Sequence, residues 1–117
     1  MKKLLIGICT FILAISSTIS ANAGTATNSG TGYNVTATAT ASYISCVATG
    51  KLSNGSTARV TGYKATSSGP KLQGTRSGSA RVYWYISEVS DAASWSYCFG
   101  AAKLSDGKWY NTTAAYA

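Results

Sequence analysis

From Ala41 to Ala65 the chain reads ASYISCVATGKLSNGSTARVTGYKA, and from Ala93 to Ala117 it reads ASWSYCFGAAKLSDGKWYNTTAAYA. Laid over each other at an offset of 52 residues, the two stretches agree at nine of twenty-five positions. The agreement includes Ala-Ser before an aromatic residue, the cysteines Cys46 and Cys98, and K-L-S-[ND]-G at a fixed distance after each cysteine. A cysteine and a turn kept in register point to an internal duplication. Both copies carry a turn dipeptide, Asn54-Gly55 and Asp106-Gly107, of the kind that closes a two-residue β-hairpin. Centring the second hairpin there pairs Leu104 with Trp109, Phe99 with Ala114 and Tyr97 with Tyr116.

The flanking segments also have strand periodicity. Tyr33, Val35, Ala37, Ala39, Ala41 and Tyr43 alternate with Asn, Thr and Ser, a period of two that marks a half-buried strand. The run is too long for one flat strand, so a bend or bulge is expected in it. A further strand over 80–89 puts Val82, Trp84 and Ile86 on one face and Arg81, Tyr83 and Tyr85 on the other. No amphipathic helical period occurs after residue 23. The expected fold is therefore all-β: an antiparallel β-sandwich of two duplicated three-stranded units, about 33–65 and 81–117, related by a pseudo-twofold axis. Residues 66–79 are expected to form a long linker, and 24–32 a loose tail rich in Gly, Thr, Ser and Asn.

The first residues read as a secretory signal peptide. Lys2 and Lys3 precede an apolar run from Leu4 to Ile15, and Ala21-Asn22-Ala23 forms an A-x-A cleavage pattern. The run is too short to span a bilayer, and no second one follows. The expectation is cleavage after Ala23, no transmembrane segment afterwards, and a secreted, extracellular bacterial product of one domain, 24–117. Two cysteines remain, and in an exported chain an even pair predicts a disulfide, Cys46 to Cys98. At equivalent positions of the two copies, that bond should lie near the pseudo-twofold axis. The core needs support: after Ala23 there are only eleven Leu, Ile, Val and Phe residues, against eight Tyr and three Trp.

The chemical inventory argues against an enzyme. There is no histidine, which removes the usual general base and the commonest zinc ligand. The three carboxylates, Glu88, Asp91 and Asp106, read as turn residues, and no phosphate-binding glycine motif is present. No catalytic residue, metal site or cofactor is expected. After residue 23, eight Lys and Arg stand against three acids, and every acid lies at or beyond Glu88. Lys64, Lys71, Arg76 and Arg81 bracket the linker, and Arg81 shares a strand face with Tyr83 and Tyr85. These six residues form a candidate cationic and aromatic surface for an anionic polymer or lipid head group. Ordinary solvated charges and a stabilising tyrosine ladder are the plain alternatives.

Three segments, Thr57 to Val60 (T-A-R-V), Ser77 to Trp84 (S-G-S-A-R-V-Y-W) and Ala93 to Tyr97 (A-S-W-S-Y), resemble the lactococcin type of secreted bacteriocin. The resemblance covers under half of the mature chain, and that family has neither the cysteine pair nor the duplication. It implies a small cationic β-sandwich that acts on the bacterial envelope by binding a lipid-linked wall precursor. The expected function is thus a secreted cationic binding protein, an antibacterial effector whose partner is an anionic envelope component: wall precursor, teichoic acid or phospholipid. A structural or adhesive surface protein and a small carbohydrate-binding module are the alternatives. Self-association stays open, and nucleic acid is not an expected partner of an exported chain.

Overall fold

A computed structural model of the protein describes residues 20–22, 24–89 and 94–117. The apolar part of the expected leader, the cleavage point at Ala23 and the carboxylate Asp91 lie outside the described residues. Among the described residues there are nine strands: β1 (Ser20–Asn22), β2 (Thr25–Gly30), β3 (Tyr33–Ala39), β4 (Tyr43–Thr49), β5 (Thr57–Thr66), β6 (Gly69–Ser79), β7 (Arg81–Tyr85), β8 (Trp95–Lys103) and β9 (Trp109–Tyr116). They build two antiparallel sheets packed face to face. The first has the order β1-β2-β3-β4-β7 and the second β6-β5-β8-β9. Short 3₁₀ turns at Lys51–Ser53 and Ile86–Glu88 carry the chain between sheets. The expected cleavage would remove β1 and leave two four-stranded sheets.

Alternation decides which side chains meet between the sheets. Val35, Ala37 and Ala39 on β3, Ile44, Cys46 and Ala48 on β4, and Val82 and Trp84 on β7 are buried. They face Ala58 and Val60 on β5, Trp95, Cys98 and Ala102 on β8, and Ala115 on β9. Most of these residues are small, so the sheets approach closely and the molecule is thin, 16 Å along its shortest axis against 48 Å along its longest. Two glycines complete the approach. A Cβ at Gly62 would lie 2.6 Å from Trp95 Cζ3 and closer still to Ile44 Cδ1, and one at Gly100 would lie 2.9 Å from the Cβ of Ala37 and 3.0 Å from Cys46 Sγ. Trp84 and Trp95 meet edge to face at 5.2 Å and close one end of the core.

Several expectations are corrected by the topology. The duplicated halves are not two separate three-stranded units: β3 and β4 lie in the first sheet, while β5, from the same copy, lies in the second. The reason is that β4 already has β3 and β7 as neighbours, so the chain leaving it has no free edge to fold back on. Asn54-Gly55 therefore serves a crossing between sheets, whereas Asp106-Gly107 does close a hairpin. There Gly107 N donates to Leu104 O and Leu104 N to Lys108 O, a three-residue loop whose last position, Gly107 at φ 83°, requires glycine. Tyr97 pairs with Tyr116 and Phe99 with Ala114 as expected. A bulge at Gly100, whose N donates to Thr112 Oγ1, shifts the remainder so that Lys103, not Leu104, faces Trp109.

The supposed linker is mostly strand. Residues Gly69–Ser79 are β6, joined to β5 by the two-residue turn Ser67-Ser68 and paired with it from Thr66–Gly69 to Thr57–Ser79. The supposed N-terminal tail is likewise β2, paired along β3 from Thr25–Thr38 to Gly30–Tyr33. The long alternating run breaks into two strands at Thr40, whose N donates to Tyr43 O and whose Oγ1 accepts from the N–H groups of Ser42 and Tyr43. The 80–89 strand ends at Tyr85, with Val82 and Trp84 inward and Arg81, Tyr83 and Tyr85 outward as expected.

Cys46 and Cys98 sit on the inner faces of opposite sheets, both fully buried, but as free thiols. The disulfide expected from the even pair is not formed in this structure. Each Sγ instead donates to a carbonyl of the facing sheet, Cys46 to Ala101 O at 3.5 Å and Cys98 to Thr38 O at 3.4 Å. The neighbouring K-L-S segments of the two copies also touch, with Ser105 N donating to Leu52 O.

The close approach of the sheets yields a stability prediction. Gly62→Ala is expected to lower the unfolding free energy by about 1–3 kcal/mol, because the new methyl must displace Ile44 and Trp95 from a filled core. A shift of the urea midpoint at unchanged slope checks it. An unchanged midpoint would mean that the sheets are looser than described.

Candidate binding surface

One end of the sandwich gathers most of the aromatic side chains. Trp95 N donates to Ala41 O and Ile86 N to Ser42 O, so the start of β8 and the end of β7 are tied to the β3–β4 turn. On the outer face of the first sheet at this end, Tyr43, Tyr83 and Tyr85 cluster with ring centroids 5.9 to 6.4 Å apart. On the outer face of the second sheet, in-register pairing aligns one residue from each of four strands: Leu72, Tyr63, Tyr97 and Tyr116. Phe99 packs edge-on against Tyr63 and Tyr97. Leu72 and Tyr116 are 59% and 61% exposed, which leaves this row open to solvent.

The rings of that row are arranged as a ladder. Tyr63 and Tyr97 lie 4.5 Å apart and within 12° of parallel, so each covers a face of the other. Such a pair stands upright on the sheet and stabilises the β5–β8 pairing. It also offers solvent its ring edges and hydroxyls instead of a flat face. At the opposite end a tilted contact between the sheets joins Tyr33 on β3 to Tyr110 on β9, with ring centroids 4.4 Å apart and planes at 44°. The Tyr110 hydroxyl donates to Asp106, which lowers the Asp106 carboxyl and raises the Tyr110 phenol from their ordinary values. Arg59 lies 4.2 Å above the ring of Trp109 near the same end.

The six expected site residues do not form one patch. Arg81, Tyr83 and Tyr85 share the outer face of the first sheet, and Tyr43, which the alternating run groups with Val35 and Ala37, joins them there because the break at Thr40 reverses the parity of inward residues in β4. Arg76 is a structural residue. Its inward partner on β5 is the buried Val60, and its guanidinium lies 4.8 Å above the ring of Trp84 and pairs with Glu88 at 2.5 Å. The same contact holds the Glu88 carboxyl below its ordinary value, helped by the Tyr85 N–H. Lys64 and Lys71 face each other across the β5–β6 hairpin, on the opposite side from Tyr63 and Leu72.

Reasoning on sequence missed the four-residue row because it depends on β5 pairing with β8, a contact between the two copies. The Tyr97–Tyr116 pair was legible in the hairpin, but nothing local adds Tyr63 or Leu72. Among the described residues no pocket opens. No protein-family model, no curated protein and no solved structure matches the chain.

Two titrations follow from these environments. Burial pushes the Cys46 thiol up to about 11 and the Cys98 thiol up to about 12, from an ordinary 9.0. Below pH 9 both thiols are protonated whether the chain is folded or unfolded. Above it the unfolded thiols ionise while the folded ones hold their protons, so the reduced protein loses stability as pH rises from about 9 towards 12. Urea midpoints across that range should fall more steeply for the parent than for a Cys46→Ala, Cys98→Ala protein; parallel curves would refute the buried-thiol environment. For Glu88 the sign is opposite. Its lowered value makes the Arg76 pair stabilising above the ordinary carboxyl range and lost as pH falls, and Arg76→Gln should return Glu88 towards that range in an NMR titration.

Proposed function

We propose that this is a secreted cationic binding protein, an antibacterial effector of the bacteriocin type that acts on the envelope of other bacteria. The observation that supports the reading is the aromatic end of the sandwich. Exposed tyrosines lie on both outer faces there, Leu72 is open beside them, and basic residues are close by: Arg81 on the face of Tyr83 and Tyr85, and the lysines of the β5–β6 hairpin. Tyrosines carry an apolar body and a polar tip, which suits them to interfaces that are part wet and part apolar. A thin sandwich with no pocket among the described residues engages an extended polymer or surface more readily than a small molecule. Between the sugar-binding and effector readings, the upright packing of Tyr63 on Tyr97 favours the effector, because stacking on a sugar ring needs a free aromatic face.

In this reading the two buried thiols are joined after export. A disulfide of an exchange protein outside the cytoplasm would take two electrons and two protons from Cys46 and Cys98 and leave one intersheet bond. Closing that loop would add roughly 4 kcal/mol in the chain-entropy model. The oxidised protein should then be lighter by two hydrogens, give no thiol reaction even in denaturant, and lose the alkaline instability of the reduced form. Two thiols titrating in denaturant, in protein recovered from the medium, would remove this part of the proposal.

A second reading, an adhesive or matrix protein, draws on β9, an edge strand without a charged residue from Trp109 to Tyr116. Growth inhibition by the purified oxidised protein across Gram-positive and Gram-negative species separates the two. Inhibition of a narrow set, lost on Tyr83→Ser with Tyr85→Ser, is the expected result. Protein that leaves every strain growing and instead forms fibres or sheets would move the function to adhesion.

A further inference from the structure

We infer that Lys64 and Lys71 form a phosphate-binding pair on the β5–β6 hairpin, and that the ligand is the phosphodiester backbone of an envelope polymer. The choice of polymer rests on the envelope reading above; the anion site rests on the hairpin itself. Lys64 and Lys71 are direct cross-strand partners and form the third residue pair from a two-residue turn. Opposed residues on antiparallel strands carry Cβ atoms about 4.5–5.5 Å apart, and like charges placed there destabilise the pair. Among the described residues the only ion pair is Arg76 with Glu88, and neither lysine takes part in one. Glu88, in the turn after β7, is committed to Arg76.

The lysines also have a defined side. Along β5, Ala58, Val60 and Gly62 face the core, and the same alternation places Lys64, with Lys71 across from it, on the side of the hairpin that looks towards the first sheet. Arg76 and Gly74 lie on that side of β6 as well, against Trp84. The strand beside them is pinned by the Arg76 contacts, so the two ammonium groups are carried on an ordered hairpin. Each ammonium can donate up to three hydrogen bonds and acts as a compact point charge, which fits the rotating oxygens of a phosphodiester. Successive phosphates along a chain supply one negative charge for each lysine. A slender chain can reach the side of the hairpin that faces the first sheet, whereas a bilayer meets the outer faces.

The test uses the full mature protein and poly(glycerol phosphate) as the probe, with calorimetry at physiological ionic strength. Lys64→Gln and Lys71→Gln should each weaken binding by about tenfold or more, as expected for loss of a charge-assisted contact. Lys51→Gln and Lys103→Gln, which remove the same charge elsewhere, should change it less than about twofold if binding is local and not a field effect. Without polymer, the Lys64 and Lys71 variants should unfold at the same or a higher urea concentration than the parent, since repulsion is relieved. Loss of binding together with loss of stability would overturn the site, as would equal effects of all four substitutions or no binding of poly(glycerol phosphate). Lysine-dependent binding to phosphatidylglycerol vesicles in preference to the polymer would overturn the polymer as ligand. Binding of the polymer but not of isolated cell walls would keep the site and remove the envelope reading, and equal binding to walls stripped of phosphate polymers would do the reverse.

Discussion

The close approach of two sheets through alanine and glycine is the constraint on which the rest of this structure depends. Ala37, Ala48, Ala58, Ala102 and Ala115 are interspersed among the larger side chains of the interface, and Gly62 and Gly100 occupy the points where even a methyl group has no room. Such a core buries little apolar area per residue, so it gains less from the hydrophobic effect than a core of leucine and isoleucine. Compensation comes from the backbone ladders, from Trp84 and Trp95 stacked edge to face, and from the cross-strand tyrosine pairs. A thin interface also places Cys46 and Cys98 against the backbone of the opposite sheet, where water is excluded and a thiolate is costly.

The same constraint explains where the aromatic residues go. A layer of alanines cannot house eight tyrosine rings, so the tyrosines line the outer faces and the ends. There they both strengthen strand pairing and make a surface that is partly apolar. Structural and binding roles are therefore carried by the same side chains. Tyr63 and Tyr97 lean to the structural role because their faces cover each other, whereas Tyr83, Tyr85 and Tyr116 keep more surface open.

The charged residues divide along similar lines. Arg76, expected on the sequence to belong to a binding surface, instead closes the open side of the core by lying over Trp84 and meeting Glu88. Lys64 and Lys71 take part in no ion pair among the described residues and stand opposite each other across the hairpin, where like charges do not favour strand pairing. A residue that works against local stability without a packing gain is where a ligand is most reasonably sought.

By itself the sequence determined what depends on local pattern. Alternation in Tyr33–Ala39 and Arg81–Tyr85 gave the strands and their inward faces, because side-chain direction in a strand follows from a period of two. The Asp106-Gly107 turn likewise located the final hairpin and two of its pairs, since a tight turn sets register over the residues beside it. Tertiary structure alone decided the rest. Asn54-Gly55 sits in nearly the same local sequence as Asp106-Gly107, yet it crosses between sheets because β4 has no vacant edge. The 66–79 segment reads as a linker, with its glycines and polar residues, and becomes strand because β5 offers it a partner. Pairing between distant strands is settled by which edges are free and which faces must be covered, and no short stretch of sequence carries that information.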